Sequence, residues 1–362
     1  MTKKSVDNHV LTAPLPTQAI SQIKPESSSQ TFLGKIRHEM QFVRGRGAFE
    51  ISIVVALILT GYIITSLVNP TGFAFLNPNN LSGVISQAIP VLAILGLAAG
   101  ILMIAGEFDL SLGFALTFNA IIFIRVVEAF GWLPGIVAGI ASGIFVALVN
   151  GIIVVTSKIP SFIATLGMSF FWGGASIFIN GTSPAMLTPG PNREALEFLF
   201  TQNFGFFRAQ LLWLIGVGII AWFFLHRHRL GNHIFAVGGN ASAAEAISIN
   251  PSRVKLMAFG IFGSLVGLAS ILIAVRTSSI QPGGTATEAF TLFAIAAAVV
   301  GGTALMGGRG SVIGIIVGAS LIELIRNGLL LARAPGFYIT LFVGVTIVIA
   351  AVFNKLMEGK AS

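Results

Sequence analysis

Two carboxylates stand between two apolar runs, in the segment AGEFDLSLG at 105–113. The run VLAILGLAAGILMI precedes Glu107 and Asp109, and the run FALTFNAIIFI follows them. Charges next to such runs are costly and are kept where they have a role. Asp109 has the position of a helix N-cap, and we expect Glu107 to be the more functional of the two. Alternatively, both carboxylates line an inner gate that binds solute hydroxyls, or both relay protons.

A second charged group lies in an apolar run near the C-terminus. Glu323 and Arg326 are three residues apart, so on a helix they share one face. Charges within a membrane are rarely left unpaired, which predicts a structural ion pair that faces the bundle interior. The alternative is that this pair and Asn327 face a vestibule and contact solute.

Neutral polar and aromatic side chains in the apolar runs suit an uncharged, polyol-like solute, since few charges lie among them. Each polar one could instead make an interhelical hydrogen bond worth about 1 kcal/mol. The predicted pathway or gate residues are Glu107, Asp109, Phe118, Asn119, Asn150, Thr165, Gln281 and Asn327.

The composition shows what kind of elements must position these residues. Only 9% of the 362 residues are charged, 55% are hydrophobic and the mean hydropathy is +0.91, whereas soluble domains carry roughly 25% charged residues. The chain is therefore predicted to be an all-α polytopic membrane protein. The absence of cysteine excludes disulfides and thiolate metal sites, and no metal or other cofactor is predicted. The net charge of +8 indicates basic membrane flanks rather than nucleic-acid binding.

Ten runs are long enough to span a membrane, which takes roughly 20 apolar residues. Polar residues and glycines interrupt the fifth and the eighth, so their ends are the least well defined. Most of the 21 basic residues fall on one side if the N-terminus is inside, which predicts two cytoplasmic termini. The predicted spans are 50–68, 81–104, 110–127, 134–156, 160–180, 210–226, 254–275, 289–306, 311–331 and 337–354.

The segments outside the spans have distinct compositions. Residues 1–48 are predicted to form a disordered cytoplasmic tail with a possible interfacial helix, 49–355 the permease domain, and 356–362 a cytoplasmic tail. The outer loop 180–209 contains REALEFLF, which could form a short helix. The inner loop 227–253 contains an Ala-rich stretch that Asn240 could cap.

Glycines recur every fourth residue in three predicted spans. Such rows let helix backbones approach closely in lipid, and generic helix packing is the preferred interpretation. The rows are Gly135, Gly139 and Gly143; Gly263 and Gly267; and Gly314 and Gly318.

Four segments carry a family resemblance: GEFDLSLG, IPSFIATLGM, AVGGNASAAEAISIN and VGGTALMGGRGSVIGIIVGA. In order and spacing they resemble signature segments of ribose-type permeases, the membrane subunits of bacterial ABC sugar importers, over about 50–355. The resemblance implies a fold like that of the cobalamin-type importers in the bacterial inner membrane. It implies a second permease copy, a cytoplasmic ATP-binding subunit and a periplasmic solute-binding protein as partners. It also implies contacts to the ATPase through Gly239, Asn240, Ala243, Ala244, Glu245 and Ile249.

The chain departs from the family pattern at three positions. Glu107 stands where the family usually has glycine, Ser161 where it has proline, and Ser248 where it has glycine. The chain also contains no G-x-x-x-x-G-K-[ST] phosphate loop, so a separate polypeptide would bind ATP and no catalytic residue is predicted. The alternatives are a proton-coupled secondary transporter that uses Glu107 and Asp109, and a channel or structural membrane subunit.

Overall fold

The computed structural model describes residues 48–205, 207–284 and 287–338, with scattered positions to 352, all within one compact unit, Phe42–Ser362. The helices are α1 Ala48–Val68, α2 Pro78–Gly83, a π-helical turn Val84–Ala88, α3 Ile89–Ile104, α4 Leu112–Phe130, α5 Trp132–Ser157, α6 Ser161–Asn180, α7 Pro191–Phe200, α8 Ala209–His226, α9 Arg229–Gly239, α10 Ala241–Ala246, α11 Pro251–Thr277, α12 Ala289–Val300 and α13 Val312–Leu331. Strands β1 Ala185–Met186 and β4 Ser279–Ile280 pair antiparallel, as do β2 Asn203–Phe204 and β3 Phe207–Arg208.

Eight helices in the described part of the chain are long and apolar enough to cross a membrane. They correspond to the first seven predicted spans and to the ninth, which confirms the all-α polytopic class. The fifth, α6, is continuous despite its polar residues. The tenth predicted span, 337–354, falls largely outside the described residues, and the tails 1–48 and 356–362 fall almost entirely outside them.

The eighth predicted span, 289–306, is wrong in length. Its helix, α12, has 12 residues and is about 18 Å long, too short for a hydrocarbon core of roughly 30 Å. The helix ends because Gly302 has a φ of 85° and the Thr303 N–H donates to the Ala298 carbonyl, a Schellman motif. The apolar composition continues past this glycine, so hydropathy alone overestimated the helix.

The centre of the bundle is α3. Every residue of this helix is buried, as expected for a helix that is apolar on all sides. It packs against α8, α11, α12 and α13. In contrast, α1 lies mostly exposed and is held to α13 in part by the Tyr62 hydroxyl, which donates to the Leu324 carbonyl at 3.0 Å.

The glycine rows bring helix backbones into contact. A Cβ on Gly143 of α5 would overlap the carbonyl of Gly263 in α11, and a Cβ on Gly263 would overlap the carbonyl of Gly143. A Cβ on Gly318 of α13 would overlap the Ala297 carbonyl of α12 in the same way. This confirms the packing role predicted from the spacing.

Candidate functional site

Three of the four sequence segments meet through their backbones at one end of the bundle. Gly238, near the end of α9, lies so close to the Ile104 carbonyl that a Cβ there would overlap it. Gly308 donates its N–H to the same carbonyl at 2.9 Å. A Cβ on Gly106 would lie 3.6 Å from the Gly238 Cα. We call this contact the glycine junction; it consists of Ile104, Gly106, Gly238, Gly239, Gly307 and Gly308.

The junction forms because α3 ends in the same way as α12. Gly106 has a φ of 84°, its N–H donates to the Met103 carbonyl at 2.8 Å, and the Glu107 N–H donates to the Leu102 carbonyl at 3.1 Å. Glycine is the residue that adopts this left-handed conformation without strain. The chain thus leaves α3 in a direction fixed by one glycine.

The fourth segment, at the start of α6, holds the connection between α3 and α4. The Phe108 N–H donates to the Ser161 hydroxyl at 3.0 Å, and the Leu110 N–H donates to the Thr165 hydroxyl at 2.9 Å. These hydroxyls pair two backbone groups that would otherwise lie unpaired in the interior. Thr165, predicted to line the pathway, is fully buried in this contact.

Asp109 is buried within the same connection and accepts three hydrogen bonds. The donors are the Ser111 N–H at 2.7 Å, the Ser111 hydroxyl at 2.6 Å and the Asn150 amide at 2.8 Å. Helix α4 begins at Leu112 with Ser111 in the N-cap position. The prediction that Asp109 is the N-cap is therefore wrong by two residues, because an additional turn precedes the helix.

Trp172 fixes the orientation of the amide that contacts Asp109. The Trp172 indole N–H donates to the Asn150 Oδ1 at 3.1 Å. Because an indole N–H can only donate, the Asn150 oxygen must face it and the Asn150 NH₂ must face Asp109. The Asp109 oxygen opposite this NH₂ is thus required to be an acceptor. The network connects α4, α5 and α6.

Glu107 pairs with a lysine of α11. The Lys255 ammonium lies 2.5 Å from the Glu107 carboxylate, which is 8% exposed. Both side chains line a cavity of about 400 Å³, together with Lys158, Ser161 and Pro251 among others. The pair thus connects the first segment to the helix that follows α10.

Helix α10 projects from the glycine junction. The Asn240 side chain accepts the Ala243 N–H at 3.0 Å, which confirms the predicted cap. Ala244 is buried, and its carbonyl accepts the Ile249 N–H at 3.0 Å. The exposed residues from the start of α10 to the turn after it are Ser242, Ala243, Glu245, Ala246, Ile247 and Ser248.

Sequence reasoning missed Ile247, which is 69% exposed just after α10. The signal was present as an isoleucine in a short, otherwise small and polar stretch. Among the residues assigned to ATPase contact, Ala244 and Ile249 hold the segment in place, whereas Ala243 and Glu245 are presented outward.

A polar cluster occupies the opposite end of the bundle. Arg326 and Glu323 form an ion pair at 3.5 Å, in which the Glu323 side chain is buried and the Arg326 side chain is 40% exposed. The pair lines a cavity of about 210 Å³ that Arg276 and Asn327 also line. The Asn327 amide donates to the Asn80 Oδ1 at 2.8 Å. Arg276 is a cavity residue that the sequence reasoning did not select.

The other predicted pathway residues lie apart from this cluster. Phe118 packs on Trp172 with ring centroids 5.0 Å apart. Asn119 is fully buried, and within the described residues its amide has no hydrogen-bond partner. Gln281 is exposed and donates to the Thr182 carbonyl at 3.0 Å. The predicted set is thus divided among separate parts of the protomer. The described residues hold no group of three or more metal-ligating side chains.

Comparison with known proteins identifies the family. The family model described as "Branched-chain amino acid transport system / permease component" matches residues 80–351. A ribose import permease protein of Escherichia coli is 31% identical, covering 84% of this chain and 92% of its own length. One of Bacillus subtilis is 30% identical, over 81% and 89%. A fructose import permease protein of Rhizobium meliloti is 27% identical, over 97% and 99%. No solved structure gives a significant match. The chain therefore belongs to this family of transport permeases and is a multi-pass transport subunit rather than an enzyme.

Proposed function

We propose that this permease forms the pathway for a monosaccharide-like, uncharged solute in an ATP-driven bacterial importer. Relatives named for the import of ribose and fructose cover most of the chain, which supports a sugar. The observation that carries the proposal is the exposed helix α10, held by the glycine junction against the ends of the central helices.

The junction suits the transmission of force because backbone meets backbone. A push on α10 moves Gly238, and Gly238 cannot move toward Ile104 without overlap with its carbonyl. Close-packed interiors transmit displacement rather than absorb it. The displacement passes to α3 through Ile104 and to the turn before α13 through Gly308. The Glu107–Lys255 pair extends this connection to α11.

The partner at α10 is a cytoplasmic ATP-binding subunit. The chain has no phosphate loop of its own, so ATP binds elsewhere. An exposed isoleucine, Ile247, beside Ala243 and Glu245 gives the apolar centre and polar rim that are usual in protein interfaces. With α10 on the cytoplasmic side of the membrane, both termini are cytoplasmic as well. A periplasmic binding protein delivers the solute to the opposite end, and a second permease copy completes the pathway.

The contacts of the two carboxylates weigh against the proton-coupled alternative. Glu107 is paired with Lys255, and Asp109 is surrounded by three donors. A proton relay needs a group that gains and loses its proton during transport. Uptake is therefore expected to persist when an uncoupler collapses the proton gradient while ATP is held constant. Loss of uptake under those conditions would support the alternative.

The decisive experiment changes the exposed surface of α10 in the reconstituted transporter. Ile247→Asp is expected to reduce solute-stimulated ATPase activity and uptake at least about tenfold, the cost of 1.4 kcal/mol at an interface, at unchanged folded yield. Ile247→Val should retain both activities. Met186→Asp alters an exposed apolar side chain on the other side of the membrane and should leave ATPase binding intact. Normal coupling in the Ile247→Asp protein would overturn the assignment.

A substitution at the buried Ala244 tests the packing of α10 rather than its contact with the ATPase. Ala244 is buried, so Ala244→Arg forces a long charged side chain into a packed contact and is expected to lower folded yield. Loss of uptake in that variant therefore does not separate docking from folding, whereas Ile247→Asp does.

A further inference from the structure

The Glu288 side chain makes no hydrogen bond or ion pair with any residue that the structure describes. It occupies the N-cap position of α12 but makes no capping hydrogen bond to the helix. The side chain is exposed, and no ion pair among the described residues includes it. A charged side chain in this state needs water or a polar partner from outside the protomer.

Its depth follows from the helices on either side. Glu288 precedes a helix that runs about 18 Å, at 1.5 Å per residue, to the end near the glycine junction. The neighbouring Thr287 hydroxyl lies 2.6 Å from the Thr117 hydroxyl of α4. Thr117 in turn is about 20 Å from the outer end of α4 at Phe130, by the same rise per residue. Both distances place Glu288 near the middle of a hydrocarbon core of roughly 30 Å.

Exposed carboxylates at this depth are not tolerated against acyl chains. The face of α12 that carries Glu288, Ala289 and Leu292 is exposed in the protomer. Since lipid is excluded as its surroundings, this face borders water or the second permease copy, with which the protomer forms the pathway. We infer that Glu288 lines the translocation pathway and sets its charge selectivity. This inference rests on the proposed transport function and assigns a residue to it.

The surroundings of Glu288 define the class of solute. Its N–H donates to the Gly284 carbonyl at 2.8 Å, and Gly284 is in close contact with the Phe114 ring. Phe114 lies 6.4 Å, centroid to centroid, from Phe170, which is exposed. A carboxylate accepts hydrogen bonds from hydroxyl pairs, and aromatic rings pack on apolar C–H faces. This combination favours neutral polyhydroxylated solutes and repels anionic ones such as sugar acids and sugar phosphates.

The absence of cysteine makes the test direct, because single cysteines can be introduced without prior removal of others. Glu288→Cys, Leu292→Cys and Ile219→Cys are each reconstituted with the ATPase subunit and treated with a charged methanethiosulfonate reagent. Ile219, on α8, is a control with an exposed apolar side chain near the middle of its helix. Thiolates form in water and not in lipid, so Glu288→Cys and Leu292→Cys should react more than about tenfold faster than Ile219→Cys.

Rates are measured at rest and during turnover with ATP, binding protein and solute. An accelerated rate in either condition supports the pathway assignment, since the pathway opens in only part of a transport cycle. Rates equal to that of Ile219→Cys in both conditions would overturn it.

Charge selectivity is tested with the same cysteine at Leu292, one helical turn from Glu288. In the Leu292→Cys protein a cationic reagent should react roughly tenfold faster than an anionic one, because a carboxylate concentrates counter-ions in a narrow space. Adding Glu288→Gln should bring the two rates close together. An unchanged ratio would overturn the selectivity role. The reactions at rest need neither a chosen sugar nor coupled ATPase activity, so their outcome can be told apart from failure of ATP-driven sugar uptake by the unaltered protein.

Discussion

The two halves of the bundle differ in whether their charged side chains are buried and paired or exposed. At the glycine junction, backbone packs on backbone, and Asp109 and Glu107 are both buried and paired. In the outer half, Arg326 is partly exposed beside a cavity, and at the inner border of that half, near mid-depth, the Glu288 side chain is exposed without a partner among the described residues. The inner end is built as a rigid connection, whereas the outer half offers charged side chains to water.

The residues of the four sequence segments and the residues proposed to contact solute therefore lie in different parts of the protein. The recognisable segments, with their glycines, specify the contact that transmits movement from α10 to α3. The groups that would meet solute lie outside those segments, at Arg276, Arg326 and Glu288. Substitutions at the junction should therefore destabilise the fold, and substitutions in the outer half should change transport at nearly constant stability.

The largest effect is expected for Gly238→Ala. The added Cβ overlaps the Ile104 carbonyl, and backbone atoms on both sides cannot rotate away. Overpacking of this kind should cost about 3 kcal/mol and lower both folded yield and the Tm in detergent. Gly216→Ala, in α8, is the matched control because a Cβ there meets nothing within 4 Å. Equal Tm values for the two variants would show that the junction is not rigid.

A second large effect is expected for Asp109→Asn. The new NH₂ group must face either the Ser111 donors or the Asn150 NH₂, so one donor is left against another donor. The expected cost is about 2 kcal/mol, measured as a lower Tm. Glu128→Gln is the control, since Glu128 is an exposed carboxylate that accepts the N–H and hydroxyl of Thr188. Its Tm should change little.

The orientation argument is tested by adding Trp172→Phe to Asp109→Asn. Without the indole N–H, the Asn150 amide is free to turn its oxygen toward the NH₂ group introduced at position 109. The double variant should therefore lose less stability than the sum of the two single losses. Strict additivity would mean that Trp172 does not fix the amide.

Much of the inner end was predictable because its signals are local. A glycine that follows an apolar helix predicts the Schellman end at Gly106, and an Asn before alanines predicts the cap at Asn240. Glu107 and Lys255 are far apart in the sequence and meet only through tertiary packing, so their ion pair was not predicted.

The features that were predicted wrongly or missed depend on backbone geometry that the amino-acid composition does not reveal. Helix α12 continues in sequence as an apolar run, so its early end at Gly302 was missed. The depth of Glu288 follows from the short length of this helix, and the residue was not selected. Asp109 was predicted as the N-cap of α4, whereas Ser111 has that position, because turns and helix caps favour the same residue types. Exposure, as at Ile247, depends on the whole fold.

An intermediate effect is expected for the pair at the boundary of the junction. Lys255→Met leaves the buried Glu107 charge uncompensated and should cost about 1–2 kcal/mol, since Lys255 is 27% exposed and partly hydrated. Glu107→Gln should cost less because water can solvate the remaining ammonium. The double variant should recover most of the lost Tm. A double variant as unstable as Lys255→Met would show that the charge is not the cause.

The smallest change in stability is expected for Arg326→Gln. Its side chain is 40% exposed, and such i,i+3 pairs contribute only about 0.5 kcal/mol, so the Tm should stay close to that of the unaltered protein. Arg276 still lines the cavity beside Glu323 and keeps that carboxylate near a positive charge. Transport should respond more strongly, because the outer cavity loses one of its charges. The measurement compares Tm and the KM of uptake for Arg326→Gln and Lys255→Met. A Tm loss as large as that of Lys255→Met would mean that the outer cluster is a structural contact like the junction, and the contrast between the two halves would fail.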